Sequence, residues 1–234
     1  MNHFTTPFRK QLPQGHSQGF SLIEMLIVIA IMSILLTAGA IGIGGLTGGK
    51  SVASALASTE TLFEEARSIA VSKGTTARVM VSVNDPADTA NYLKRIVVVF
   101  KELNSDGTQS STWALSSRGM VLPDQVYFSK TYSVKDLKTG TGALDTFTLP
   151  TSTTVKQPFA GKYLYYEFNS EGICTTSGAS FIVGTGVRAL SDTNPRVTGG
   201  AKRDFGGFVV WRNGRTSSLR GPDQMKLPSS VTTF

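Results

Sequence analysis

Between Phe20 and Leu46 the chain runs 27 consecutive positions with one ionisable side chain, Glu24. As an α-helix this run spans about 40 Å at ~1.5 Å per residue, enough to cross a ~30 Å hydrocarbon core. A helix apolar on every side has no face to offer water, so it belongs in a membrane or among other helices. No second apolar run approaches the ~18 residues of a span, which excludes a multi-span membrane protein. The run is too long for the apolar region of a secretory signal, and an acid sits near its start.

A carboxylate at the centre of a membrane costs on the order of 2.5–3.5 kcal/mol on insertion scales, so an intramembrane acid calls for a function. Its natural partner is a cation at the same depth. Cleavage between Gly19 and Phe20 would supply one as a new amino terminus. The leader, residues 1–19, is polar, with Arg9 and Lys10 and no acid. That bias favours a cytoplasmic N-terminus, although Lys50 lies just beyond the other end of the run.

Gly19-Phe20-Ser21-Leu22-Ile23-Glu24, after a basic leader and before some twenty apolar residues, resembles the prepilin-type signal of type IV pilins and type II secretion pseudopilins. The resemblance covers roughly residues 10–46. It implies cleavage after Gly19 by a prepilin peptidase and N-methylation of Phe20. It implies pairing of Glu24 with the N-terminus of a neighbouring subunit, so that other pilin or pseudopilin subunits are the partners. The location implied is the bacterial inner membrane, single-pass, with the N-terminus cytoplasmic and the C-terminal domain periplasmic before assembly into a filament.

Residue counts exclude other classes. Cys174 is the only cysteine, so no internal disulfide or cysteine-cluster metal site forms. The two histidines, His3 and His16, lie in the leader. A chain cut after Gly19 has none, which removes Ser-His-Asp triads, Cys-His dyads and His-ligated zinc. Asp85, Asp88 and Asn91 cluster oxygen ligands without the order of a calcium loop. No catalytic constellation is present, and the reading is of a non-enzyme with no cofactor and no metal site.

Six glycines between Gly39 and Gly49 each cost a helix about 1 kcal/mol relative to alanine, which predicts bending or melting there. Gly44 to Ser51 fits the phosphate-binding pattern G-x-x-x-x-G-K-[ST], but the chain shows no βαβ alternation for such a loop to sit in. Val52, Leu56, Leu62, Phe63, Ala66, Ile69 and Ala70 recur at helical spacing, with Gly74 as the stop. Glu64, Glu65 and Arg67 read as a solvated face.

From Thr75 the period changes to that of strands. Runs at 78–83, 94–101, 112–115, 126–128, 162–168, 180–187 and 207–220 give about seven, the last a hairpin turning at Asn213-Gly214. Residues 133–160 are rich in Thr, Gly and Lys and read as a long polar loop; residues 191–204 read as another. The organisation is a leader (1–19), a transmembrane or filament-core helix (20–46), an amphipathic helix (47–74) and a β-rich globular domain (75–234). The fold class is α+β, with a long N-terminal helix packed on an antiparallel sheet or sandwich.

Three short segments are similar to the H-type minor pseudopilins and their FimT-like pilin relatives: Glu65 to Ala70, Tyr166 to Gly172, and Gly207 to Arg215. Leu122-Pro123 looks like the start of their mid-domain strand. The extra polar sequence around 133–160 departs from that pattern.

Charge supplies an alternative. The full chain is +7; from Phe20 onward it holds 21 basic and 16 acidic residues. Residues 186–234 carry Arg188, Arg196, Lys202, Arg203, Arg212, Arg215, Arg220 and Lys226 against three aspartates. A hairpin with Arg212, Arg215 and Arg220 beside Trp211 could contact phosphates, giving a minor pilin that binds DNA for uptake.

Overall fold

The structure, a computed structural model, describes residues 22–197 and 204–234, and for residues 34–50 the backbone alone. The leader, Gly19, Phe20, Lys202 and Arg203 lie outside the described residues. The chain divides into two compact units, Met1–Ile43 and Gly44–Phe234.

One helix, α1, runs Leu22–Lys73. The melting expected at Gly39 to Gly49 is not seen, because the backbone is helical from Leu22 to Lys73. Good helix-formers flank the glycines, and an established helix propagates more easily than it starts. The phosphate-loop pattern at 44–51 is likewise helix rather than loop.

The helix ends in a Schellman cap. The Thr75 N–H donates to the Ala70 carbonyl (3.0 Å) and the Gly74 N–H to that of Val71 (3.3 Å), with Gly74 at φ +63°. A Cβ at Gly74 would meet open space, so backbone strain alone acts there. Gly74→Ala is therefore expected to cost about 1 kcal/mol, read as a lower urea midpoint at unchanged slope. A midpoint equal to wild type would contradict the cap.

Twelve strands follow among the described residues. They are β1 (Ala77–Ser82), β2 (Arg95–Leu103), β3 (Gln109–Leu115), β4 (Met120–Val121), β5 (Val126–Phe128), β6 (Val134–Asp136), β7 (Thr141–Ala143), β8 (Thr146–Leu149), β9 (Gly161–Phe168), β10 (Ser180–Thr185), β11 (Phe205–Val210) and β12 (Thr216–Leu219). One sheet has the order β3-β2-β1-β9-β8, with β4 continuing beside β2; the second is β12-β11-β10-β5; β6 and β7 form a separate hairpin. All pairings are antiparallel. The α+β class holds. Gly119 lets the chain pass from β3 to β4, since a Cβ there would lie 1.9 Å from the Ile96 carbonyl oxygen.

The reading of 133–160 as a long polar loop is corrected. It contains β6, β7, β8 and a short 3-10 turn, Gln157–Phe159, and β8 joins the first sheet beside β9. These strands are three or four residues long, too short for a periodic signal to stand out from the polar sequence around them.

The main core lies where the second half of α1 meets both sheets. Val52, Ala55, Leu62, Phe63, Ala66 and Ala70 are buried, and Thr59 among them turns its hydroxyl back onto the Ala55 carbonyl at 2.7 Å. Val79 and Val81 of β1, Ile96 and Val98 of β2, and Tyr166 and Phe168 of β9 share this core with Phe128, Phe181 and Phe208 of the second sheet. Tyr166 ties the sheets together, its hydroxyl donating to the Ser180 carbonyl at 2.6 Å. Full burial raises that phenol well above its ordinary pKa.

Both sheets are covered on the opposite face too. Met80, Val97, Val99, Trp113 and Tyr163 pack under Leu149 and Val155, with half-buried Phe159 alongside. Ile182 packs against Met225, Leu227, Val231 and Phe234 of the C-terminal segment.

Candidate functional site

Residues 22–33 of α1 form an apolar cylinder. Every residue from Leu22 to Ser33 is exposed, from 91% for Leu22 to 43% for Val28 among the large apolar side chains. The segment has no glycine or proline, and Ser33 returns its hydroxyl to the Ile29 carbonyl at 2.7 Å. Glu24 is the acid of the first turn, where the helix dipole favours a negative charge. A continuous apolar surface of this extent marks an interaction site rather than a water-facing one. Among the described residues no helix is long and apolar enough to cross a membrane. Side chains of the 20–46 run are described only over 22–33.

A second constellation forms within the globular unit, where the three segments singled out in the sequence meet. The Cys174 N–H donates to the Arg212 carbonyl at 3.0 Å, joining the turn after β9 to the β11–β12 hairpin. A Cβ on Gly172 would lie 2.7 Å from Val71 Cγ2, and one on Gly214 2.5 Å from Arg67 Cδ and 2.9 Å from the Gly172 carbonyl. The two glycines thus let both turns close over the stem of Arg67. This corrects the reading of Glu64, Glu65 and Arg67 as a solvated face. Arg67 packs across the turns and Glu65 accepts from Ser116 Oγ at 2.5 Å, while Glu64 stays exposed, 3.7 Å from Arg67. Long-range packing of this kind leaves no local mark in the sequence.

Of the arginines proposed for nucleic acid, two share a turn and the third lies apart. Arg212 and Arg215 are exposed on one tight turn, closed by Trp211 N–H to Arg215 O (2.9 Å) and Gly214 N–H to Trp211 O (2.8 Å). Arg220 is exposed past the other end of β12, about 17 Å away at ~3.3 Å per residue. Trp211 is 49% exposed and donates Nε1–H to Ser217 Oγ at 2.8 Å. Arg188 is used internally: its Nη1 donates to Pro86 O (2.6 Å) and Asp192 O (2.8 Å), and its guanidinium lies over Tyr92. Arg196 faces Asp192 at 3.4 Å.

The other polar candidates are structural. Asp85 Oδ1 caps the Ala87 N–H, and Asp88 Oδ1 caps those of Ala90 and Asn91. Among the described residues no three His, Cys, Asp or Glu side chains gather as metal ligands. Cys174 is buried, and burial pushes its thiol pKa up, away from the reactive thiolate.

A family model described as the prokaryotic N-terminal methylation motif matches residues 15–40. The chain carries the prepilin-type signal of type IV pilins and pseudopilins, and Gly19, Phe20 and Glu24 fall within the match. The match supports a type IV pilin-like or pseudopilin subunit. No curated protein and no solved structure matches the chain.

Proposed function

We propose that the chain is a minor pilin or pseudopilin of a type IV pilus or a type II secretion pseudopilus. Prepilin peptidase cuts after Gly19 and Phe20 becomes the N-methylated terminus. Residues 20–46 hold the subunit in the inner membrane, N-terminus cytoplasmic and globular domain periplasmic, and then pack laterally against other subunits. Glu24 sets axial register by meeting a neighbour's amino terminus. The observation that carries this reading is one acid on an exposed helical segment, 22–33, whose other residues are apolar but for Ser33, inside the matched signal. Membership of the H-type or FimT-like subgroup rests on the likeness of the three short segments alone.

Expression with and without a prepilin peptidase tests the assignment. With the peptidase, the chain shortens and enters the sheared filament fraction; without it, the chain keeps its leader and stays in the membrane. Filament incorporation of the uncut chain would count against the reading.

A second reading, DNA capture, draws support from Arg212, Arg215 and Trp211 exposed on one turn. It predicts a mobility shift with the full chain in detergent that weakens steeply with salt. No shift at low salt removes it.

A further inference from the structure

We propose that the outer edge of β12 docks an extended, acidic segment of another protein chain, which adds a strand to the second sheet. The inference rests on the strand edge and its charges, not on the filament reading. Among the described residues β12 ends the order β12-β11-β10-β5, with β11 as its one neighbour.

The directions of its peptide groups follow from the hairpin. The Trp211 N–H bonds Arg215 O, whereas Val210 faces β10, donating to Ala179 O (2.9 Å) and accepting from the Gly178 N–H (2.7 Å). Alternation then turns Arg215, Ser217 and Leu219 inward to β11, and Thr216, Ser218 and Arg220 outward. The Arg220 N–H is indeed met from outside, by Gln224 Oε1 at 2.7 Å. Thr216 and Ser218 present an outward N–H and C=O each.

Sheet edges are ordinarily blunted by lysine, proline or a bulge. The stretch Thr216-Ser217-Ser218-Leu219 has none of these, and pairs β11 in unbroken register from Thr216 to Leu219. Its protection is the arginine at each end, Arg215 and Arg220, both exposed. Those charges select the occupant. A second copy laid antiparallel on this edge would bring two more arginines and no acid to the same seam, so it offers the charges no partner. A strand with acids opposite Arg215 and Arg220, five residues apart, turns the same ends into contacts. Nucleic acid fits less well, because phosphates accept hydrogen bonds and cannot satisfy the outward carbonyls of Thr216 and Ser218.

The test uses the full chain in detergent micelles and a synthetic Thr/Val peptide with aspartates five positions apart. Residue-resolved amide exchange is the readout. Millimolar peptide is expected to slow exchange at Thr216 and Ser218 by roughly tenfold or more. The same peptide with lysines in place of the aspartates should not. Ser218→Pro removes an outward N–H, leaves the β11 ladder intact and is expected to abolish the protection. A peptide N-methylated on alternate amides probes the same bonds without altering the protein. Absence of protection, equal protection by the lysine or N-methylated peptide, or protection by a DNA oligonucleotide in place of the acidic peptide would each overturn the proposal.

Discussion

Phe63→Ala is expected to destabilise the globular unit by about 3–5 kcal/mol, a large share of the ~5–15 kcal/mol typical of a whole domain. Phe63 is fully buried, and its ring meets Tyr166 and Phe168 of the first sheet and Phe181 and Phe208 of the second, at centroid distances of 5.0 to 6.3 Å. Each contact is edge-on, the arrangement favoured by ring quadrupoles. Truncation opens a void among four aromatic rings held by three strands of two sheets, which cannot collapse together to fill it. Urea unfolding of the purified chain reads the effect as a lower midpoint, with Phe63→Leu falling between wild type and alanine. A loss under about 1 kcal/mol would mean that the helix is not the keystone between the sheets.

The second large effect concerns assembly. Glu24→Ala is expected to leave the chain in the membrane fraction at wild-type level while its share of sheared filaments falls tenfold or more, on the order of 1.4 kcal/mol per factor of ten. The two readouts separate for a physical reason. Removing the carboxylate lowers the cost of placing the helix in hydrocarbon, so insertion does not suffer. In the filament, the neighbour's amino group would be left buried without its counter-charge, and breaking one half of a buried pair costs about 3–5 kcal/mol. Glu24→Gln should behave like alanine, because charge rather than shape is what it loses. Filament incorporation at wild-type level by either variant would remove Glu24 from the assembly mechanism.

Much of this was legible in the sequence, and the parts that were not share a cause. The signal reads out because its chemistry is local: a glycine, an aromatic residue and an acid at fixed spacing before an apolar run. The helix stripe and the longer strands read out because each is periodic over many residues. The segment 133–160 did not, because it acts through isolated apolar residues such as Leu149 and Val155 in short strands and turns. A clue was present nonetheless. Ile96-Val97-Val98-Val99 and Phe181-Ile182-Val183 are continuous apolar runs, and a strand apolar on both faces must be covered on both. The first run needed the 144–159 region as its cover, and the second needed Met225 to Phe234. The count of basic residues near the C-terminus held no spatial information. It could not show that Arg188 is spent on carbonyls of its own chain, or that Arg220 sits a strand's length from Arg215.

The mass of the mature N-terminal peptide, from chain isolated from membranes containing a prepilin peptidase, tests the central claim most directly. The account predicts a chain that begins at Phe20, heavier than the unmodified peptide by one methyl group on the α-amino nitrogen. A chain that retains residues 1–19, or begins at any other residue, would contradict it.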